Sequence, residues 1–322
     1  MQEAHPNKPL NDIDYEINLR EFSYVLLGGK WIIVSLTTFL SIVGVIYSLI
    51  LPNIYESKAL LAPVNSSSGF PGALGGYSGL AGLAGISIPS GGDEGNSAKA
   101  ILKIRSLSFF ENNILPNIHL PDLMAVKSWN SKTNTLVFDE NIYKITSNTW
   151  VRDYSYPQQK IPSPQESYEV FKTKHLSLSE DNKSGFISLS IKHQSPFIAK
   201  QWTELVVSEV NAFYRQKDKS ESEKAASYLN QQISITSLSE IKQVIAQLLQ
   251  EETKKLALIE ANQYYVFDYI DPPAVMELKS EPQRALIWIL SALLGGMLSI
   301  VIVLIKHYVI EKKSPKFLDL NS

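Results

Sequence analysis

The chain contains no cysteine among its 322 residues. That absence excludes a disulfide framework and metal sites built on cysteine, although it does not identify the compartment. Neither sign of charge predominates, since 30 lysines and arginines stand against 32 aspartates and glutamates. Nucleic-acid-binding proteins present a basic patch, so this balance disfavours a nucleic acid as partner.

Motifs of the common enzyme classes are also missing. The sequence has no GxxxxGK[ST] phosphate loop, no GxSxG nucleophile elbow and no HExxH zinc motif. A catalytic pair of carboxylates stays open, because it is defined by a separation in space that sequence does not give. We expect no enzyme activity, no cofactor and no metal site. No two of the histidines have a spacing that brings them together on one helix: His5, His119, His175, His193 and His307.

Two long stretches carry no charged residue, namely residues 31–51 and 285–305. A helix needs about 20 apolar residues to cross a bilayer, and both stretches reach that length. The first stretch differs from a signal peptide, because it follows thirty mostly polar residues and no small-residue cleavage site comes after it. We therefore predict two transmembrane helices, the first of them an uncleaved anchor.

Positive charges lie beside both predicted spans, on the side of the chain termini. Lysine and arginine in short flanking segments favour the cytoplasm, so both tails, residues 1–30 and 306–322, are expected there. The central segment, residues 52–284, is then outside the cytoplasm. The flanking residues are Lys8, Arg20, Lys30, Lys306, Lys312, Lys313 and Lys316.

The central segment alternates between strand-like and helical patterns. Residues 55–64, 186–192 and 264–270 have the alternating, β-branched or aromatic composition of strands. Helical spacing runs over residues 97–115 and through a long hairpin at about 196–261. We therefore predict an α/β membrane protein, in which two transmembrane helices flank an α/β domain with long projecting helices.

The hairpin includes a charged run at residues 215–224. A helix that is polar on nearly every face projects into solvent or bridges between parts, and does not lie on a core. We expect this part of the first arm to be solvated.

A glycine-rich loop occupies residues 69–95, which hold ten of the sixteen glycines. Over residues 76–87 each glycine is followed by one bulky apolar residue and one small residue. Collagen would need proline and many more triplets. We interpret the loop as packing against a neighbouring copy or the membrane surface, with a merely mobile loop as the alternative.

Small residues recur four apart in the second predicted span. Because helices in lipid associate by close approach over small residues, this strip predicts a packing face against the first span, another subunit or a membrane partner. Glycines without a packing role are the alternative. The candidates are Gly44 and Ser48 in the first span, with Ala292, Gly295, Gly296 and Ser299 in the second.

The order of these features resembles one family, the Wzz-type chain-length determinants of bacterial polysaccharide synthesis, also called polysaccharide co-polymerases. The first anchor leads into Pro52-Asn53-Ile54-Tyr55-Glu56-Ser57, in which Pro52, Tyr55 and Ser57 form the membrane-proximal motif. The glycine-rich loop and long helices follow in the order of the family.

The C-terminal part carries the most specific resemblance. It begins at Asp271-Pro272-Pro273-Ala274-Val275, passes through Pro282 close to the second span, and ends at Leu294-Gly295-Gly296-Met297. The family often has further prolines where this chain has Met276 and Leu278.

The resemblance implies a ring-like homo-oligomer in the bacterial inner membrane, with an α/β base near the membrane and helices projecting into the periplasm. It implies a regulator without catalytic activity, which works with the membrane polymerase to set the modal length of O-antigen or a related glycan. A lipid-linked glycan is a further candidate partner.

Two other functions stay open at this point. The first is a membrane activator of a separate cytoplasmic tyrosine kinase in capsule or exopolysaccharide export. The tail at 306–322 offers it only Tyr308 and is too short for a signalling domain, so we expect action through assembly or membrane partners. The second is a periplasmic enzyme that modifies polysaccharide, for which a carboxylate pair in a cleft is needed.

Overall fold

The computed structural model describes residues 19–64, 94–181 and 183–310. The chain divides into two compact units, residues 1–51 with 282–322, and residues 52–281. Nearly all of the glycine-rich loop at 69–95 lies outside the described residues, as do most of the two tails.

Both units contain helices, and the strands lie in the α/β unit, residues 52–281. The helices are α1 (Leu19–Gly28), α2 (Lys30–Ile50), α3 (Glu94–Ile104), α4 (Leu107–Phe109), α5 (Leu120–Met124), α6 (Pro164–Val170), α7 (Pro196–Ile235), α8 (Ser239–Ala261) and α9 (Arg284–Ile305). The strands are β1 (Tyr55–Pro63), β2 (Val126–Asn130), β3 (Thr135–Phe138), β4 (Tyr143–Lys144), β5 (Thr149–Trp150), β6 (Leu176–Glu180), β7 (Ile187–His193) and β8 (Phe267–Asp271). Single π-helical turns follow α4, α6 and α9 at Phe110–Ile114, Phe171–His175 and Lys306–Ile310.

The first unit contains the two candidate transmembrane helices. Helix α2 has 21 residues, and the second candidate span has 25, from Arg284 through α9 into the following turn as far as Tyr308. Both are long and apolar enough to cross a membrane. The two helices pack against each other, and α1 contacts both of them.

A four-stranded antiparallel sheet forms the base of the second unit, in the order β6-β7-β1-β8. The alternation expected over 186–192 is present in β7, whose Ile187, Leu189 and Ile191 are fully buried. Two smaller antiparallel pairs, β2 with β3 and β4 with β5, lie outside this sheet. The predicted fold class, an α/β protein with two candidate transmembrane helices, is confirmed.

Helix α7 begins on the sheet and carries much of the hydrophobic core. Its buried residues include Trp202, Val206, Val207 and Val210, which join Phe267 of β8 in one cluster. Beyond Tyr214 only Ser222 of this helix is buried, because the core ends there and α8 covers one side alone.

The two arms α7 and α8 have 40 and 23 residues. At 1.5 Å per residue, α7 is about 60 Å long. The charged run at 215–224 is exposed over about half its positions, while its other side contacts residues of and beyond α8. Asp218 accepts a hydrogen bond from Tyr265 Oη at 2.6 Å, and Lys219 pairs with Glu260. The run therefore bridges two segments as well as facing solvent.

The single helix predicted over 97–115 is wrong, because the structure interrupts it at Arg105 and Ser106. Ser106 has extended backbone geometry, and its hydroxyl accepts a hydrogen bond from the Phe109 amide at 3.3 Å. An N-capping serine offers the backbone an alternative to continuing the helix, and so begins a new one here.

Candidate functional site

The first and last segments of the α/β unit lie side by side. The amide of Ile54 donates to the carbonyl of Glu281 at 3.0 Å, and the Ile54 carbonyl accepts from the amide of Ser280 at 2.9 Å. Lys192 of β7 adds an ion pair to Glu281 at 2.6 Å. The hydrogen bond to Glu281 raises the pKa of Lys192, so this lysine is charged at neutral pH.

Ser57 of β1 joins the same two segments by a further hydrogen bond. Its side chain is buried, and its hydroxyl donates to the carbonyl of Ala274 at 2.8 Å. Thr203 of α7 contributes a hydroxyl hydrogen bond of 3.3 Å to the Ser57 carbonyl. Buried polar groups need such partners, so Ser57 suits this position because it is small and carries one donor.

The other two residues of the membrane-proximal motif are less enclosed. Tyr55 pairs with His193 across β1 and β7, and its ring meets Trp129 edge-on with centroids 5.5 Å apart. Pro52 is exposed ahead of β1. Pro282 lies two residues before α9 begins, at the start of the other unit. The structure thus brings Ser57 to the Asp271-to-Val275 segment, while Pro52 and Pro282 make no comparable contact among the described residues.

In the first unit, two glycines allow α2 and α9 to approach closely. A Cβ atom added to Gly44 would overlap the Ser291 side chain. A Cβ atom added to Gly295 would lie 3.1 Å from Thr37 Cα and 3.2 Å from Leu40 Cβ. Both glycines are buried between the helices, so neither position has room for a larger residue.

Two serines complete this helix contact. Ser48 is fully buried and accepts a hydrogen bond from Trp288 Nε1 at 2.8 Å. Ser299 is also fully buried, and its hydroxyl donates to the Gly296 carbonyl within α9 at 2.7 Å.

Gly296 differs from its neighbour Gly295. A Cβ atom added to Gly296 would meet no atom within 4 Å among the described residues. Ala292, one turn earlier, is half-buried. Gly296 therefore takes no part in the contact between α2 and α9. We propose that it packs against another chain.

A buried histidine pair was missed at the level of sequence. His175 ends the π-helical turn after α6 and His193 ends β7, with ring centroids 5.7 Å apart. Both rings pack against Trp202, at 5.6 and 5.1 Å. Spacing in the sequence reveals two histidines only where they share one helix, whereas these two meet across different elements.

Backbone groups fix the orientation of both rings, and burial keeps the rings neutral. His175 Nδ1 donates to the Lys192 carbonyl at 2.6 Å, and His193 Nε2 donates to the Asp122 carbonyl at 3.0 Å. His193 Nδ1 accepts from the Ser195 amide at 2.9 Å. Burial lowers the pKa of each histidine to about 4, so both are uncharged at neutral pH.

The described residues contain no group of three or more metal-binding side chains. The ion pair most enclosed by the α/β unit joins Arg152 to both carboxylate oxygens of Glu166, with Nη2 to Oε2 at 2.7 Å. Arg152 also donates to the carbonyls of Gln159 and Lys160 at 2.6 and 3.0 Å. Glu166 is thereby committed to a structural pair that holds the segment before α6.

Comparison with known proteins identifies a family over part of the chain. Residues 15–108 match the family model described as Wzz, the chain length determinant protein. The resemblance to Wzz-type chain-length determinants is thus confirmed. A comparison with curated protein sequences found no match.

Two solved structures are similar over most of the chain. One is described as a full-length bacterial polysaccharide co-polymerase, with 14% identity, a TM-score of 0.38, and coverage of 93% of this chain and 99% of the other. The second is a fragment of WzzB, a polysaccharide co-polymerase from Salmonella Typhimurium, with 13% identity, a TM-score of 0.30, and coverage of 71% and 100%. At these identities and TM-scores neither match identifies a function.

Proposed function

We propose that this protein regulates the chain length of a surface polysaccharide, O-antigen or a related glycan. It acts as a ring-like homo-oligomer together with the membrane polymerase and catalyses no reaction itself. The match of residues 15–108 to the chain-length determinant family carries this proposal. The two candidate transmembrane helices, which precede and follow the α/β unit in the sequence, suit such a role.

The proposed topology puts both tails in the cytoplasm and residues 52–284 in the periplasm, with spans at 31–51 and 285–305 in the bacterial inner membrane. The lysines and arginines beside the spans support this orientation. A reporter that is active only in the periplasm should work when inserted within residues 131–134 and fail when fused after Ser322. Activity at the C-terminus would contradict the topology.

The contacts between residues 54–57 and residues 274–281 suggest how the α/β unit contributes to an oligomer. Hydrogen bonds and an ion pair join the start of β1 to the segment after β8, so the two ends of the α/β unit are held together. An oligomer built from such units would have a base of fixed width. We propose that this base, with the projecting arms α7 and α8, is the part that other copies recognise.

Deletion of the gene in its host, followed by gel analysis of surface polysaccharide, tests the function. Loss of modal length with polymer still made is the expected result, and the intact gene should restore the wild-type pattern. Loss of all polymer would contradict length regulation and would favour an activator of a separate tyrosine kinase in export. Unchanged modal length with unchanged amount would contradict both functions.

A further inference from the structure

A cleft of about 450 Å³ lies in the α/β unit, beside the start of β6 and the end of β7. Its walls come from α5, the turn before β4, β5, α6 and the residue after β7. Apolar side chains, among them Met124, Ile142 and Trp150, supply part of the lining. This volume and mixed lining are within the range of small-molecule sites in proteins.

The cleft also offers polar groups that the fold does not use. The side chains of Asn141, Asp153, Lys174 and Gln194 line it, and none has a hydrogen-bond partner among the described residues. The indole N–H of Trp150 is likewise unpaired within this part of the chain. The cleft therefore presents amide, carboxylate, ammonium and indole groups beside apolar surface.

The charges of the lining cancel. Arg152 and Glu166 neutralise each other in their bidentate pair, and every terminal nitrogen of Arg152 is engaged. Asp153 and Lys174 are of opposite sign, and His175 is neutral because burial lowers its pKa to about 4. A phosphate or carboxylate ligand would find no free excess of positive charge here.

We infer that this cleft binds one or two neutral sugar units of the glycan whose length the protein regulates. A sugar ring presents C–H groups on its faces and hydroxyls around its edge, which suits Trp150 beside the unpaired amides and carboxylate. This inference rests on the proposed function for the identity of the glycan. It adds a place where the α/β unit contacts that glycan directly.

Titration of the full-length protein in detergent tests the inference. The probes are the host's own surface glycan, released from its lipid by mild acid, its neutral oligosaccharide fragments, and a sulfated oligosaccharide of the same size. Saturation-transfer NMR detects contact and calorimetry measures the dissociation constant. Wild-type protein should bind the neutral fragments saturably and the sulfated one at least about tenfold more weakly, because the lining carries no net positive charge.

Variants assign the binding to the cleft. Trp150→Ala and Asp153→Ala should each weaken binding by about tenfold, as expected for the loss of a stacking platform or of a hydrogen bond to a charged group. Asp153 is exposed and unpaired among the described residues, so its variant tests binding even if Trp150→Ala unfolds. Tyr156→Ala is the matched control, because this tyrosine is 97% exposed and does not line the cleft.

Three outcomes would overturn the inference: no saturable binding by wild-type protein, equal binding by the Asp153→Ala and wild-type proteins, or preference for the sulfated fragment. The gene-deletion experiment reports on length regulation independently. Altered modal length in the deletion strain, together with absent binding in the titration, would reject the cleft and leave the proposed function standing.

Discussion

The two units of this protein are packed by opposite kinds of residue. Where α2 meets α9, the buried residues are small, namely Gly44, Ser48, Gly295 and Ser299, with Val303. The core of the α/β unit instead buries its largest side chains, including Phe109, Phe110, Phe267 and Trp202.

The difference follows from the solvent expected around each unit. Water drives large apolar side chains inward, roughly in proportion to the area that they bury. Lipid tails are as apolar as the side chains, so helices within a bilayer gain from close contact between backbones and from a few hydrogen bonds. The Trp288 to Ser48 bond is one such contact, and the large apolar residues of α9 are left exposed on its outside.

The largest predicted effect of a single substitution is on a buried polar group of the α/β unit. Asn211 accepts hydrogen bonds from the amides of Val266 and Phe267 at 2.7 and 3.0 Å, and its Nδ2 donates to the Phe267 carbonyl at 3.0 Å. Asn211→Ala should lower the free energy of unfolding by about 4 kcal/mol, because several backbone groups lose their partner. Chemical unfolding followed by circular dichroism measures it.

Asn230→Ala is the control for that variant. Asn230 lies on the same helix α7 but is exposed, and its side chain has no hydrogen-bond partner among the described residues. An equal loss of stability in both variants would mean that helix propensity, and not the buried network, sets the effect.

The second effect is a loss of stability in acid that comes from the histidine pair. In the unfolded chain each histidine has a pKa near 6.5, whereas burial lowers the folded pKa of His175 and His193 to about 4. Between these values the unfolded state binds more protons, so the free energy of unfolding falls as pH drops from about 6.5 to about 4. At about 1.4 kcal/mol per pKa unit, each histidine contributes a loss of about 3 kcal/mol.

The free energy of unfolding, measured at several pH values between 7 and 4, gives the slope of stability against pH that checks this prediction. His193→Gln should reduce this slope by about half, since glutamine does not titrate in this range and His175 still does. Lys192 also lies beside the pair, but its pKa is raised by the hydrogen bond to Glu281, so it stays charged throughout the window and does not produce the slope. A wild-type curve that is flat from pH 7 to pH 4 would contradict the prediction.

Sequence patterns predicted the elements that are governed by local periodicity. The apolar runs gave α2 and α9, and the alternation over 186–192 gave β7. The helix break at Ser106 was missed, because the apolar spacing continues across it while one side-chain hydrogen bond ends the helix. Apolar periodicity indicates which face of a helix is buried. It does not indicate where one capping side chain ends a helix and begins another.

Contacts between residues far apart in the sequence were harder to predict from the sequence. Ser57 and Ala274 are 217 positions apart, and only the resemblance to a family marked both segments in advance. Nothing in their spacing predicts the bond. The meeting of His175 with His193, and the cleft lined by Trp150 and Asp153, likewise depend on how separate elements pack.

A third prediction sharpens the comparison within the helix pair. Gly295→Leu should separate α2 from α9, because an added side chain would meet Thr37 and Leu40; overpacking of this kind costs about 1–3 kcal/mol. The chain has no cysteine, so spin labels on Ile46→Cys and Leu290→Cys would report the distance between the helices without background. We expect a longer and broader distance distribution.

Gly296→Leu provides the matched control one residue away. No atom of the described residues lies within 4 Å of a Cβ atom added there, so the distance distribution should stay as in the wild type. If this variant alone reduces crosslinking to other subunits or shortens the polysaccharide, Gly296 contacts another chain. Equal broadening by both variants would contradict the distinction between the two glycines.

The smallest effect is expected where polar contacts are exposed to water. Lys219 of α7 pairs with Glu260 of α8, yet both side chains are substantially exposed, and exposed ion pairs are screened and entropically costly to hold. Lys219→Ala should therefore leave the midpoint of chemical unfolding unchanged.

Arg215→Ala, one turn earlier, is the comparison, because Arg215 donates to the carbonyls of Asn262 and Gln263 at 2.6 and 2.5 Å, where α8 ends. Those carbonyls lack helical partners, so this variant should lower stability by about 1 kcal/mol. A midpoint shift for Lys219→Ala as large as that for Arg215→Ala would show that the exposed arms are held together by their ion pair.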